Sequence, residues 1–193
     1  QPPSSLGMRP LILGSSSKHR RALLSRLGVP FACASPDVDE RAVAGPEIPP
    51  RETAIQLARA KARAVLTLQP DAVVIGGDQV CALGDRILHK PGDVPTTVER
   101  LMELTGRTHD LWTAICIAHE GGEIDVLDHT RLTMRDLDRP TLERYVAADH
   151  PVGCAGGYKL EERGVALFER IETEDATAVV GIPLLALTRV LSG

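Results

Sequence analysis

The chain has 193 residues, of which 43% are hydrophobic, and its formal net charge is −4. This length supports one domain with a sizeable core or two small lobes, and the weak negative charge argues against nonspecific binding to nucleic acid. Aromatic residues make up only 3% of the chain, too few for a base-stacking platform, and no apolar run approaches the roughly 18 residues of a membrane span.

Residues 1–10 contain three prolines and no long apolar segment, so we predict a disordered tail rather than a signal peptide. The four cysteines are widely spaced in apolar surroundings and form no C-x-x-C pair. This spacing favours buried thiols in a reducing compartment over a zinc site or a disulfide framework. We therefore expect a cytoplasmic protein.

Apolar strands and amphipathic helices alternate in the first half of the chain, with turn residues between them. The predicted elements are strand Leu11–Leu13, turn Gly14–Ser17, helix Lys18–Leu27, strand Phe31–Ser35, acidic loop Pro36–Glu40, mobile segment Arg41–Pro50, helix Glu52–Leu68 and strand Val73–Asp78.

The same alternation continues to the end of the chain without an internal repeat or an obvious linker. It predicts an α/β protein with a mixed sheet, formed by one domain over residues 11–193. The elements here are helix Val94–Leu104, strands Leu111–His119 and Ile124–Met134 around a Gly121-Gly122 turn, helix Pro140–Ala148, strand Val165–Ile171 and helix Pro183–Leu191.

The most informative segment is the β-branched run Val73–Ile75, which leads into Gly76, Gly77 and Asp78. The glycines allow a backbone or a ligand to approach closely. Asp78 is predicted at the carboxyl end of the strand, where open α/β sheets bind ligands. The alternative is a simple turn in which Asp78 caps the next element.

The turn Gly14–Ser17 precedes a helix whose first residues are Lys18, His19, Arg20 and Arg21. Free backbone N–H groups, serine hydroxyls and arginine together suit a phosphate group. The alternative is a capped helix with solvated basic residues. The sequence lacks G-x-x-x-x-G-K-[ST], so this is not a Walker A loop.

Acids and lysines elsewhere extend this chemistry. Mg²⁺ commonly takes one or two carboxylates together with substrate phosphates, and we predict that Glu40 and Asp78 supply such a pair. The alternative is a solvated acidic turn, which is the favoured interpretation of Asp37 and Asp39. Lys90 precedes a rigid proline and Lys159 follows a glycine-rich run, whereas Lys61 is interpreted as an ordinary helix lysine. The set suits metal-assisted cleavage of a polyphosphate, with Asp78 orienting or deprotonating the attacking water.

Many short motifs in one order resemble the Maf family of nucleoside-triphosphate pyrophosphatases over Leu11–Leu191. The matching segments are Leu11-Ile12-Leu13-Gly14-Ser15-Ser16-Ser17 with Arg20-Arg21, Pro36-Asp37-Val38-Asp39-Glu40, Leu57-Ala58 with Lys61-Ala62, Gly77-Asp78-Gln79-Val80, Lys90-Pro91, Leu104 with Gly106, Thr113, Cys154-Ala155-Gly156-Gly157-Tyr158 and Val180-Gly181-Ile182-Pro183-Leu184.

The resemblance implies hydrolysis of a nucleoside triphosphate to a monophosphate and pyrophosphate by a homodimer that uses a divalent cation, Mg²⁺ or Mn²⁺. It implies an inosine-triphosphatase-like fold, an elongated mixed sheet flanked by helices, with two lobes around a central cleft. Asp78 would be the catalytic acid or base, and Glu40 and Asp78 would hold the metal. The phosphate path would be lined by Ser15, Arg20, Lys61, Lys90 and Lys159.

Four features resemble the 7-methyl-GTP branch of the family: Asp78-Gln79-Val80-Cys81, His150-Pro151, Glu161 and Leu167–Arg170. The resemblance places His19, Gln79 and Glu161 at positions that read the base. Two residues depart from the family pattern, because Lys18 stands where proline is usual and His19 where this branch often has tryptophan.

Two further functions stay open at this point. The first is the same reaction on dTTP or UTP. The second is a nucleotide-binding regulator of septum formation, since Maf proteins are linked with septum inhibition. Turnover distinguishes the regulator from the enzymes, and a panel of nucleotides distinguishes the two enzymes.

Overall fold

A computed structural model describes residues 9–193, so most of the predicted tail lies outside the described residues. Its strands are β1 (Leu11–Gly14), β2 (Ala32–Cys33), β3 (Val73–Leu83), β4 (Arg86–Leu88), β5 (Thr108–His119), β6 (Gly122–Met134) and β7 (Phe168–Glu172). They form one sheet in the order β2-β1-β3-β5-β6-β7, with β4 paired to β3. Because β1 runs parallel to β2 and β3 while β7 runs antiparallel to β6, the sheet is mixed. The predicted α/β class is confirmed.

Helices alternate with these strands, and aspartate or serine side chains cap four of them. Ser17, Asp39, Asp93 and Asp138 each accept a hydrogen bond from a backbone N–H in the first turn that follows, which fixes where each helix begins. The α-helices are α1 (Lys18–Ser25), α2 (Glu40–Val43), α3 (Pro50–Leu68), α4 (Val94–Leu104), α5 (Arg139–Asp149) and α6 (Leu184–Ser192). Within residues 9–193, none of the helices has the length and apolar character that crossing a bilayer requires.

The described chain divides into two compact units. The first contains the described residues up to Gln79 together with 113–128 and 175–193, and the second contains 80–112 and 129–174. The first unit has a core of aliphatic side chains from β1, β3, β5, α1, α6 and the segment directly before α6, which buries the strand residues around the predicted site. Its buried members are Leu13, Leu23, Leu24, Val73, Ile75, Ile115, Ile117, Ile182, Leu184 and Leu187.

Several predicted boundaries are wrong. The strand from Val73 continues to Leu83 instead of ending at Asp78, because pairing with neighbouring strands outweighs the poor strand propensity of Gly and Asp. Helix α2 begins at Glu40, under the Asp39 cap, and extends from the predicted acidic loop into the segment 41–50; the mobility of that segment stays a prediction. The first residues of the predicted strand Val165–Ile171 belong to a 3-10 helix, Arg163–Leu167. Of the cysteines predicted to be buried, Cys33 is exposed.

Candidate active site

Asp78 lies within β3, beside the carboxyl end of its parallel neighbour. The register pairs Gly14, the last residue of β1, with Gly76. Asp78 is therefore two residues beyond the end of β1, next to the turn that begins at Ser15. The expectation that β3 itself ends at Asp78 is wrong, but the shorter β1 does end there, and this exposes one side of β3 to loop and helix residues.

Gly76 is required by the packing of a helix on the strand. A Cβ atom at residue 76 would lie 2.5 Å from the carbonyl oxygen of Ala58 and 2.5 Å from the amide nitrogen of Ala62. Helix α3 thus rests directly on the backbone of β3, at a distance that only glycine permits. This contact brings Lys61, the residue before Ala62, over the following residues of the strand.

Lys61 joins the two predicted metal-binding carboxylates. Its Nζ lies 2.7 Å from Oδ1 of Asp78 and 2.9 Å from Oε1 of Glu40. The Lys61 side chain is 15% exposed and the Glu40 side chain 57% exposed, so one end of this chain of charges is buried and the other meets solvent. The interpretation of Lys61 as an ordinary surface lysine is wrong.

Arg20 brings a second cation to Asp78. Its Nε donates to the carbonyl oxygen of Gly181 at 3.0 Å. Burial lowers the pKa of the Arg20 guanidinium, while the charges of Asp78 and Glu40 act in the opposite direction. Since arginine stays protonated in proteins, Arg20 is a permanent positive charge on α1.

Asp78 is buried, and its side chain is 12% exposed. Burial raises its pKa above the ordinary value of 3.8, Lys61 and Arg20 lower it, and Glu40 adds to the increase. Burial thus makes Asp78 a stronger proton acceptor than a solvated aspartate, while the two cations support its charged form. This is the combination that a general base near neutral pH requires.

The serine turn contributes a buried hydroxyl. Ser15 Oγ accepts from the Ser17 amide at 3.1 Å, and Ser17 Oγ accepts from the Arg20 amide at 3.3 Å. The turn is thus held by its own side chains, and the Ser15 hydroxyl retains a proton to donate. His19 lies exposed on α1, one residue before Arg20.

Gln79 makes contacts that the sequence did not reveal. Its Nε2 donates to Thr113 Oγ1 at 3.1 Å and lies 3.2 Å and 3.1 Å from the carbonyl oxygens of Ala178 and Val179. The amide nitrogen is engaged by the protein, so any contact with a base falls to the amide oxygen.

Three of the predicted site residues, Lys90, Lys159 and Glu161, belong to the second unit. The charges of all three influence the pKa of the Cys154 thiol. Burial and the Glu161 carboxylate raise the pKa of Cys154, while Lys159 and Lys90 lower it. Arg100 connects the two segments that carry these residues. Its Nη1 donates to the carbonyl oxygen of His89, directly before Lys90, at 2.7 Å and to the carbonyl oxygen of Ala155, directly after Cys154, at 2.9 Å. The structure therefore places these three predicted residues within electrostatic range of Cys154. Arg100 is a residue that the motifs did not indicate.

Glu40 and Asp78 fit part of a divalent-cation site. Among residues 9–193 there is no cluster of three or more His, Cys, Asp or Glu suited to a metal. Both carboxylates nevertheless reach a single cationic atom, Lys61 Nζ, within 2.9 Å. Two converging carboxylates are the number that Mg²⁺ commonly takes from a protein when phosphates and water complete its shell.

The coupling of Lys61 to Asp78 gives a direct prediction. Because the Lys61 charge lowers the pKa of Asp78, Lys61→Gln should raise that pKa further. Carboxyl ¹³C NMR titration measures it. Arg59→Gln is the matched control on the same helix, since Arg59 pairs with Asp125 instead. Equal pKa shifts in both variants would contradict the assignment.

The sign for stability follows from the same titration. Native Asp78 holds its proton more tightly than the unfolded chain does, so its ionisation lowers the free energy of unfolding as pH rises from 3.8 through the raised pKa. In Lys61→Gln the free energy of unfolding should continue to fall up to a higher pH, because the pKa of Asp78 is raised further.

A family model described as Maf-like protein matches residues 10–193. The chain belongs to the Maf-like protein family. Relatives described as 7-methyl-GTP pyrophosphatase share 42% identity in Bdellovibrio bacteriovorus, 44% in Cupriavidus metallidurans and 41% in Pseudomonas putida. These alignments cover 94%, 94% and 96% of this Maf-like chain and 95%, 91% and 96% of the relatives.

A solved structure described as nucleoside-triphosphatase / dITP/XTP pyrophosphatase, from Mycobacterium abscessus, matches the Maf-like chain with a TM-score of 0.40 and 19% identity. The match covers 65% of this chain and 72% of the other.

Proposed function

We propose that the protein hydrolyses 7-methyl-GTP to 7-methyl-GMP and pyrophosphate. One observation of the structure supports this most strongly: Asp78 is buried beneath Lys61, with a 2.7 Å contact between carboxylate and ammonium. The relatives named as 7-methyl-GTP pyrophosphatases, which align over nearly the whole chain, support the choice of substrate.

In the proposed reaction a water oxygen attacks the α-phosphorus, the bond from that phosphorus to the bridging oxygen breaks, and pyrophosphate leaves. Asp78 takes the proton of the water, which its raised pKa favours. Lys61 and Arg20 place positive charge where negative charge grows on the phosphate oxygens. Ser15 donates its hydroxyl proton to the same group.

We propose Mg²⁺ or Mn²⁺ as the cofactor, held by Glu40 and Asp78 together with substrate phosphates. When bound, such an ion neutralises phosphate charge as a Lewis acid. Since Lys61 Nζ contacts both carboxylates, the lysine has to share them with the ion, and its own charge is then available to the phosphates.

We assign recognition of the base to His19, Gln79 and Glu161, and further phosphate contacts to Lys90 and Lys159. A carboxylate such as Glu161 accepts from the N–H edge of guanine and complements the positive charge of a methylated ring. The Gln79 amide oxygen is a second acceptor. These roles rest on the resemblance of the motifs, together with the grouping of Lys90, Lys159 and Glu161 around Cys154.

A pyrophosphate-release assay with 7-methyl-GTP, GTP, dTTP and UTP, each with Mg²⁺ and with Mn²⁺, tests the proposal. We expect kcat/KM for 7-methyl-GTP to exceed that for every other nucleotide by about tenfold or more. A preference for dTTP or UTP would support the other branch of the family. Absence of turnover on the whole panel would overturn the proposed enzymatic function and favour a nucleotide-binding regulator.

We also propose that the protein acts as a homodimer in the cytoplasm, as the family resemblance implies. Light scattering coupled to size-exclusion chromatography measures the oligomeric state. A mass near the chain's 20.7 kDa at micromolar concentration would contradict the dimer.

A further inference from the structure

We infer that Tyr145, with Asp149 beside it, is a positioning residue for Lys159. The inference rests on the proposed function, in which Lys159 contacts the phosphates of the substrate. All of the contacts that support it lie within the second compact unit. Neither Tyr145 nor Asp149 belongs to the motifs that suggested the site.

Tyr145 holds the amide side of Lys159. The hydroxyl of this buried tyrosine, on α5, accepts a hydrogen bond from the Lys159 backbone N–H at 2.8 Å. The segment before Lys159 is glycine-rich and has no regular structure, so no strand or helix ladder fixes the lysine there. A side-chain hydroxyl therefore does what a secondary-structure hydrogen bond does elsewhere.

Asp149 lies one turn further along α5 and its side chain is 0% exposed. Arg163 Nη1 donates to its Oδ1 at 3.0 Å, while Oδ2 is buried without a hydrogen-bond partner among the described residues. Burial raises the pKa of Tyr145, and the nearby Asp149 charge adds to the increase. The tyrosine thus keeps its proton, and the Asp149 carboxylate lies close enough to act electrostatically on its hydroxyl.

The carbonyl side of Lys159 is held as well. The amides of Glu162 and Gly164 both donate to the Lys159 carbonyl oxygen, at 3.2 Å and 3.0 Å. A Cβ atom at residue 164 would lie 2.4 Å from that oxygen, so this approach requires glycine. Because the peptide groups on both sides of Lys159 are fixed, the backbone sets the direction of its side chain. The Lys159 ammonium makes one long contact, 3.8 Å, with the exposed carboxylate of Glu162.

Tyr145→Phe removes the hydroxyl and leaves the ring. We expect KM for 7-methyl-GTP to rise about fivefold, the effect of one lost hydrogen bond, with kcat within about twofold. KM carries the effect because a lysine on the phosphates already contacts the bound substrate. Thr108→Val is the matched control, since it removes a hydroxyl pair with Thr133 in the same unit and should leave KM unchanged.

A double-mutant cycle distinguishes positioning from general support of the fold. If Tyr145 acts through Lys159, Tyr145→Phe should change KM less than about twofold in a Lys159→Ala background. An equal rise in KM in both backgrounds, or no rise in the wild-type background, would overturn the inference and leave the proposed function intact. Wild-type protein without turnover on any nucleotide would overturn both.

Should Tyr145→Phe not fold, as judged by its thermal melt, Asp149→Asn takes its place in the cycle. Asparagine keeps the shape of the side chain and removes the negative charge that acts on the Tyr145 hydroxyl. The expected pattern is the same: KM rises with Lys159 present and is unchanged in the Lys159→Ala background. Additive effects would again overturn the inference.

Discussion

Asp78→Asn should lower kcat at least about a thousandfold while nucleotide affinity stays within about fivefold of wild type. Asparagine fills the same space but cannot accept the proton of the attacking water. The buried position makes replacement by another base difficult, because Asp78 is only 8% exposed. Affinity should survive, since Arg20 and Lys61 remain and one negative charge near the phosphates is removed.

Steady-state pyrophosphate release and calorimetric nucleotide titration measure the two quantities. Asp85→Asn is the matched control, because Asp85 is exposed in the turn directly after β3 and should leave both quantities unchanged. Near-normal turnover of Asp78→Asn would remove Asp78 from the catalytic role. A parallel loss of affinity and turnover would make Asp78 a binding residue instead.

Gly76→Ala should destabilise the protein by about 3 kcal/mol or more. The new methyl group would lie 2.5 Å from two backbone atoms of α3, at Ala58 and Ala62. Backbone atoms within a helix cannot rotate away as a side chain does, so the whole of α3 has to move. That movement would also draw Lys61 away from Asp78, and activity should fall more than the loss of folded protein explains.

Urea unfolding followed by circular dichroism measures the free energy of unfolding. Gly45→Ala is the control in the same unit, because a Cβ at residue 45 has no atom within 4 Å; its stability should stay within about 0.5 kcal/mol of wild type. A Gly76→Ala variant as stable as Gly45→Ala would show that α3 does not rest on β3 in this way.

The alternation of elements and the α/β class were predictable because apolar periodicity survives in most helices and strands of this chain. The motifs also indicated Asp78, since a carboxylate after a buried apolar run is uncommon. Local propensity gave the wrong end for the strand that carries Asp78. Gly76, Gly77 and Asp78 are poor strand residues and yet lie inside β3. Strand pairing is a tertiary effect, and a window of neighbouring residues does not contain it.

Helix packing explains the other differences. Lys61 looked like a solvated lysine because the sequence does not show that Gly76 admits α3 onto the strand. The contact of Tyr145 with the Lys159 amide joins a helix to an irregular segment and has no characteristic spacing. Residues that act through such long-range contacts become recognisable only when the fold is known.

The contact of Arg20 with Gly181 also has a consequence for how the protein is made. The two residues are 161 positions apart, so Arg20 is synthesised long before Gly181, which carries the carbonyl that accepts its hydrogen bond. Ile182, Leu184 and Leu187 of the same late segment complete the core around β1 and β3. A nascent chain therefore exposes Asp78 and its cations on an unfinished core until this segment has been synthesised. A product truncated before Gly181 would carry Asp78 without the aliphatic side chains that complete this core.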